Sequence, residues 1–162
     1  MRKMLSRGDE LYSDDVFWVL FDYEVTRSQR YPSPLSLLQI EMRPSTGDPV
    51  IMRAAASIFC SALNSHLRSS DIPTGSGSSY LVLLPTTEEN GCRALCERLL
   101  SIFRNRFESK DGQSITFSLN LGMAYHSGGA AMTKEDLLQG AEKAIKQSKL
   151  KGPNTYVAAS DL

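Results

Sequence analysis

The sequence predicts an α/β sandwich, a mixed central sheet with helices packed against it. Long stretches whose apolar residues recur at helical intervals alternate with short apolar runs of strand character. One such run, Tyr80-Leu81-Val82-Leu83-Leu84, is closed by Pro85 and follows a turn rich in glycine and serine. That pattern reads as a hairpin leading into a buried strand, with its tip at Gly75-Ser76-Gly77.

The elements follow in order. Asp14 to Arg30 reads as a helix, opened by acidic and closed by basic residues as the helix dipole favours. Phe17, Leu20, Phe21 and Val25 form its apolar stripe. Trp18 and Tyr23 lie off that stripe, facing either a partner or the edge of the core, and the core edge is the expectation. Pro32 and Pro34 stop the helix, and Leu35 to Met42 reads as a mostly buried strand. Asp48 and Pro49 mark the start of a second helix running to Leu67, with His66 as a helix-end residue. Thr87 to Phe107 reads as a third helix, Lys110 to Gln113 as a turn, and Ser114 to Tyr125 as one strand. Ser127 to Ala131 is a loop. Thr133 with Asp136 three residues on resembles a capping box for a last helix, whose inner face carries Leu137, Leu138, Ala141, Ala144, Ile145 and Ser148. A short final strand completes the order.

Composition bounds the function. The 162 residues suit one domain, and 41% apolar with 22% charged content is ordinary for a globular protein. Eighteen basic residues balance eighteen acidic ones, which argues against broad nucleic-acid or membrane binding. No apolar run has the length of a membrane span, and Met1-Arg2-Lys3-Met4-Leu5 has no apolar segment after it, so a cytoplasmic location is expected. The cysteines, Cys60, Cys92 and Cys96, are odd in number and unlike a disulfide framework. Cys92 and Cys96 stand four apart on one helix, but His66 and His126 offer no ligand spacing to complete a metal site, and buried small apolar side chains are the expectation.

Arg68 to Pro85, RSSDIPTGSGSSYLVLLP, resembles the GGDEF family of diguanylate cyclases, in which a Gly-Gly-Asp/Glu-Glu-Phe hairpin precedes a Val-Leu-Leu-Pro strand. Three further segments carry the likeness: RSQRYPSPLSLL from Arg27, Asn120-Leu121-Gly122-Met123-Ala124, and AEKAIKQSKLKGPN from Ala141. The likeness spans about Asp14 to Val157 and implies a single domain over residues 1–162, with a central, mostly antiparallel sheet flanked by helices. It also locates departures. Ser76-Gly77-Ser78-Ser79-Tyr80 stands where the catalytic motif would be, Glu41 where the family's first metal-binding Asp would be, and Arg43 where its second would be. The connection Pro44 to Asp48 is too short for the segment that grips the substrate guanine. Phosphodiester formation from GTP needs carboxylates to hold divalent cations against the triphosphate, and serine hydroxyls replace such ligands poorly. No catalytic residue, metal or cofactor is therefore expected.

Arg68-x-x-Asp71 occupies the place of the family's inhibitory site, which binds cyclic di-GMP. The resemblance implies a receptor in which Arg68 bonds or stacks on guanine or pairs with phosphate, and Asp71 accepts from the guanine edge. Arg53 or Arg93 would add phosphate contacts, and Lys149 corresponds to a phosphate-touching lysine. The same Arg and Asp, three apart at a helix end, also make an ordinary surface ion pair. The other reading is a nucleotide-independent interaction or dimerisation module, docking a signalling partner or a second copy through Trp18, Tyr23 and Tyr31.

Overall fold

The computed structural model describes residues 8–45 and 48–162; Met1-Arg2-Lys3-Met4-Leu5 and, within the short connection, Thr46 and Gly47 lie outside the described residues. Helix α1 (Asp14–Arg30) has the expected bounds, with the Ser13 hydroxyl accepting from the Val16 amide at its start. Strand β1 (Leu35–Pro44) leads to α2 (Pro49–Ser65), where Asp48 accepts from the Val50 amide and Pro49 opens the first turn. The hairpin is β2 (Ile72–Ser76) and β3 (Ser79–Pro85). After α3 (Glu89–Ile102) come the short strands β4 (Phe107–Glu108) and β5 (Ser114–Ile115), then β6 (Phe117–His126), α4 (Lys134–Lys151) and β7 (Thr155–Ala158).

The main sheet has the order β2-β3-β1-β6-β7, antiparallel except for the parallel β6–β7 pair. This mixed five-stranded sheet flanked by four helices is the predicted sandwich. Strand alternation sorts its core into two layers. Leu38, Ile40, Met42, Tyr80 and Val82 face α2 and α3, while Leu35, Leu37 and Leu83 face α1 and α4. An aromatic cluster anchors the first layer: the Phe59 ring lies 4.7 Å from Tyr80 and 4.9 Å from Phe103, and Phe103 lies 5.5 Å from Phe117. Each such pair adds about 0.5–1.5 kcal/mol beyond the burial itself.

Four expectations need correction. The turn tip is Gly77-Ser78, not Gly75 to Gly77, because Ser76 pairs with Ser79 and Gly75 sits inside β2 opposite Tyr80. Gly75 has φ +137°, and a Cβ there would lie 2.4 Å from the Ser79 carbonyl oxygen, so the strand passes only as glycine. The third helix ends at Ile102 and not at Phe107, which instead pairs with Ile115 across the turn at Asp111–Gly112. The run Ser114 to Tyr125 is two strands belonging to different sheets, broken at Thr116 by reciprocal bonds to Ser45. The second helix closes at Ser65, with His66 as its C-cap.

Candidate functional site

The hairpin tip brings Ser79 beside Glu41 at one end of the sheet, but not as a metal cage, and Arg68 and Asp71 lie at the other end beside Pro85. Ser79 lies directly across from Glu41 on β1, and Asn120 flanks Glu41 on the other side. Glu41 is already claimed: Lys149, in the last turn of α4, bonds its Oε2 at 2.7 Å, and Arg43 lies 3.7 Å from Oε1. A divalent cation on Glu41 would have to displace that ammonium. The Ser78 carbonyl is taken by the Met42 amide. Tyr80 points inward and ties the turn to the core: its ring is buried in the aromatic cluster and its hydroxyl donates to the Gly77 carbonyl at 2.8 Å. Burial, with Cys60 beside it, pushes the Tyr80 phenol well above its usual range. Among the described residues, no group of three or more His, Cys, Asp or Glu side chains could hold a metal ion.

The histidines and cysteines are bound into the scaffold. His66 Nδ1 donates to the Ala62 carbonyl, and His126 Nδ1 accepts from the Gly128 amide. All three cysteines are buried thiols. Contact with Cys92, then burial, lifts the Cys96 thiol far above the range of a reactive thiolate.

Arg68 and Asp71 do meet. In the tight bend after α2, the Asp71 carboxylate accepts from the Arg68 amide at 2.7 Å and from its guanidinium at 2.9 Å (Nη2) and 3.2 Å (Nε). The pair is lopsided: the Asp71 side chain is 4% exposed and that of Arg68 is 54% exposed. Arg68 Nη2 also donates to the Pro85 carbonyl (2.8 Å) and to Thr87 Oγ1 (2.6 Å). Asp71 thus holds the arginine through Nε and Nη2, while about half of the Arg68 side chain remains exposed. The loop that supplies these acceptors holds Thr86 at φ +53°, a left-handed conformation that costs a β-branched residue about 1–2 kcal/mol.

An open groove of about 340 Å³ lies beside this pair, lined by Arg68, Thr87, Asn90, Gly91, Arg98 and His66 among others. Its size falls at the lower end of small-ligand sites. Arg98, from the middle of α3, supplies a second guanidinium, and α3 begins at the groove with no side-chain cap on its N-cap residue, Glu88. Neither Arg98 nor Thr87 carried a sequence signal, since only the packing of α3 beside the bend gathers them. Arg93 does not join this groove. It is consumed by Glu89 (3.0 Å) and Asp161 (2.7 Å), and Arg53 is an exposed residue on α2.

No protein-family model and no curated protein matches the sequence. Solved structures do match it. The GGDEF domain of PA1120 (TpbB or YfiN) from Pseudomonas aeruginosa shares 19% identity, covering 94% of this chain and 92% of that one, with a TM-score of 0.76. The GGDEF domain of DgcB from Caulobacter crescentus, in complex with c-di-GMP, shares 12% identity over 99% of this chain and 98% of that one, at a TM-score of 0.73. The active GGEEF domain of a diguanylate cyclase from Vibrio cholerae gives 14% identity, 93% and 98% coverage, and a TM-score of 0.71. The chain therefore has the GGDEF-domain fold over nearly its whole length.

Proposed function

We propose that this GGDEF-fold chain is a receptor for cyclic di-GMP that does not make the dinucleotide. The observation that carries the reading is the half-exposed Arg68 guanidinium, clamped by a buried Asp71 at the mouth of a groove with Arg98 on its wall. A half-exposed, clamped guanidinium suits stacking on a guanine base and donation to its O6 and N7 or to phosphate. In this reading Asp71, which also lines the groove, positions Arg68 by accepting from its amide and guanidinium. The loss of synthesis follows from Glu41, whose charge is spent on Lys149 where a cyclase needs it for metal.

Isothermal titration with cyclic di-GMP tests binding. Heat is expected for the parent chain and its loss in Arg68→Ala, with Arg98→Ala weakening the interaction while sparing the fold. An absence of heat at high micromolar concentration ends the receptor reading. Incubation with GTP and magnesium or manganese, followed by chromatography, is expected to yield no dinucleotide, and any product overturns the inactive assignment. A nucleotide-independent role in docking has its own support in the outer face of α1, where Val19 and Tyr23 stand in solvent.

A further inference from the structure

Helix α1 is apolar on two opposite sides. Phe17, Phe21 and Val25 enter the core, and this accounts for one. On the other, Val16, Val19 and Tyr23 recur at i, i+3 and i+7 and are 46%, 68% and 61% exposed. The core face fully explains the first stripe, while nothing in the fold requires the second.

The charges at the ends of this outer stripe are of opposite sign. Asp15 stands at its start and Arg30 at its end, and neither has an ion-pair partner among the described residues. Arg27 lies near Arg30 and is shared with Glu24, and Asp22 at the stripe's margin bonds Lys134. Two copies of the stripe laid parallel would set Asp15 against Asp15 and Arg30 against Arg30. Laid antiparallel about a two-fold axis between Val19 and Tyr23, each Asp15 meets the other copy's Arg30 end and the helix dipoles oppose. The surface is complementary to itself reversed.

We propose that the outer face of α1 is a homodimer interface in which two copies pair their α1 helices antiparallel. The apolar centre supplies Val16, Val19 and Tyr23 from each copy, and Asp15 and Arg30 fix the direction. One helix pair buries well under about 800 Å² per partner, so the dimer is weak, with a dissociation constant on the order of 10–100 µM. It needs no dinucleotide.

Sedimentation velocity on the full chain, from about 5 to about 500 µM, brackets that constant. The parent chain is expected to pass from monomer to dimer over this range. Val19→Glu raises the dissociation constant at least about tenfold, since it buries a charge at the centre. Asp15→Arg and Arg30→Asp each weaken self-association, and an equimolar mixture of the two dimerises again because every end contact becomes attractive. Circular dichroism checks that each variant keeps its helices. A parent chain that stays monomeric throughout overturns the proposal, whether α1 receives another protein's helix or nothing. A dimer untouched by Val19→Glu, or charge variants whose mixture is no tighter than either alone, overturns it equally.

Discussion

Arg68 and Asp71 divide one task between them, and burial decides the division. A carboxylate 4% exposed must spend its lone pairs locally, and the Arg68 amide and guanidinium are the donors it finds. The arginine, half exposed, is the member that the proposed receptor reading sets against the ligand. Because Arg68 is half in water, its Coulomb attraction to Asp71 is screened and contributes little to stability on its own. The larger contribution is the acceptance of the Arg68 backbone N–H, which the bend would otherwise strand. Asp71→Asn keeps the shape but can set an amide donor against these donors. The expected outcome is a loss of about 1–3 kcal/mol in urea denaturation, together with weaker dinucleotide binding because the guanidinium is no longer aimed.

At the scale of elements, the chain was most legible where chemistry is local. Asp48 and Thr133 announce helix starts, and both side chains accept first-turn amides as their types suggest, while the Ser13 cap of α1 appears only in the structure. Proline and charge fixed the end of α1 equally well. Legibility failed where a distant partner decides. Phe107 continues the helical spacing from Phe103, yet α3 stops because residues 107–108 pair with 114–115, a contact no local pattern reveals. Ser79 and Glu41 were visible as candidates, but the capture of Glu41 by Lys149 joins residues from β1 and α4 and needs the fold to appear. The seat of α4 on β6 is another such join. Gly122 faces α4 so closely that an added Cβ would lie 2.3 Å from the Ile145 amide nitrogen and 2.5 Å from the Ala141 carbonyl oxygen. Both obstacles are backbone, so no rotamer relieves them and the helix itself must shift. Gly122→Ala is expected to cost about 3 kcal/mol or more, read as a lowered urea midpoint.

Across the whole molecule, the C-terminal turn is fastened back onto α3 by charge and not by burial. Arg93 reaches from α3 to both Asp161 oxygens, Asp161 accepts in turn from the Ala158 amide, and Ser160 bonds Glu89. This clasp closes over β7, the sheet's parallel edge strand. The guanidinium of Arg93 is pushed above its already high range, first by Asp161, and so stays charged at every working pH. The titrating member is Asp161, held below its ordinary 3.8 first by Arg93 and then by the Ala158 N–H. A carboxylate with a depressed folded pKa binds protons more weakly in the folded than in the unfolded chain. Its stabilisation is therefore complete above about 3.8 and is lost as pH falls through the lower folded value. Urea midpoints of the parent chain and Asp161→Asn are expected to differ at neutral pH and to converge as the solution is acidified below that point. Molar salt should narrow the neutral-pH gap as well, since the clasp lies at the surface where ions screen it. A gap that persists undiminished at the acid end would place the contribution of Asp161 in its hydrogen-bond geometry and not in its charge.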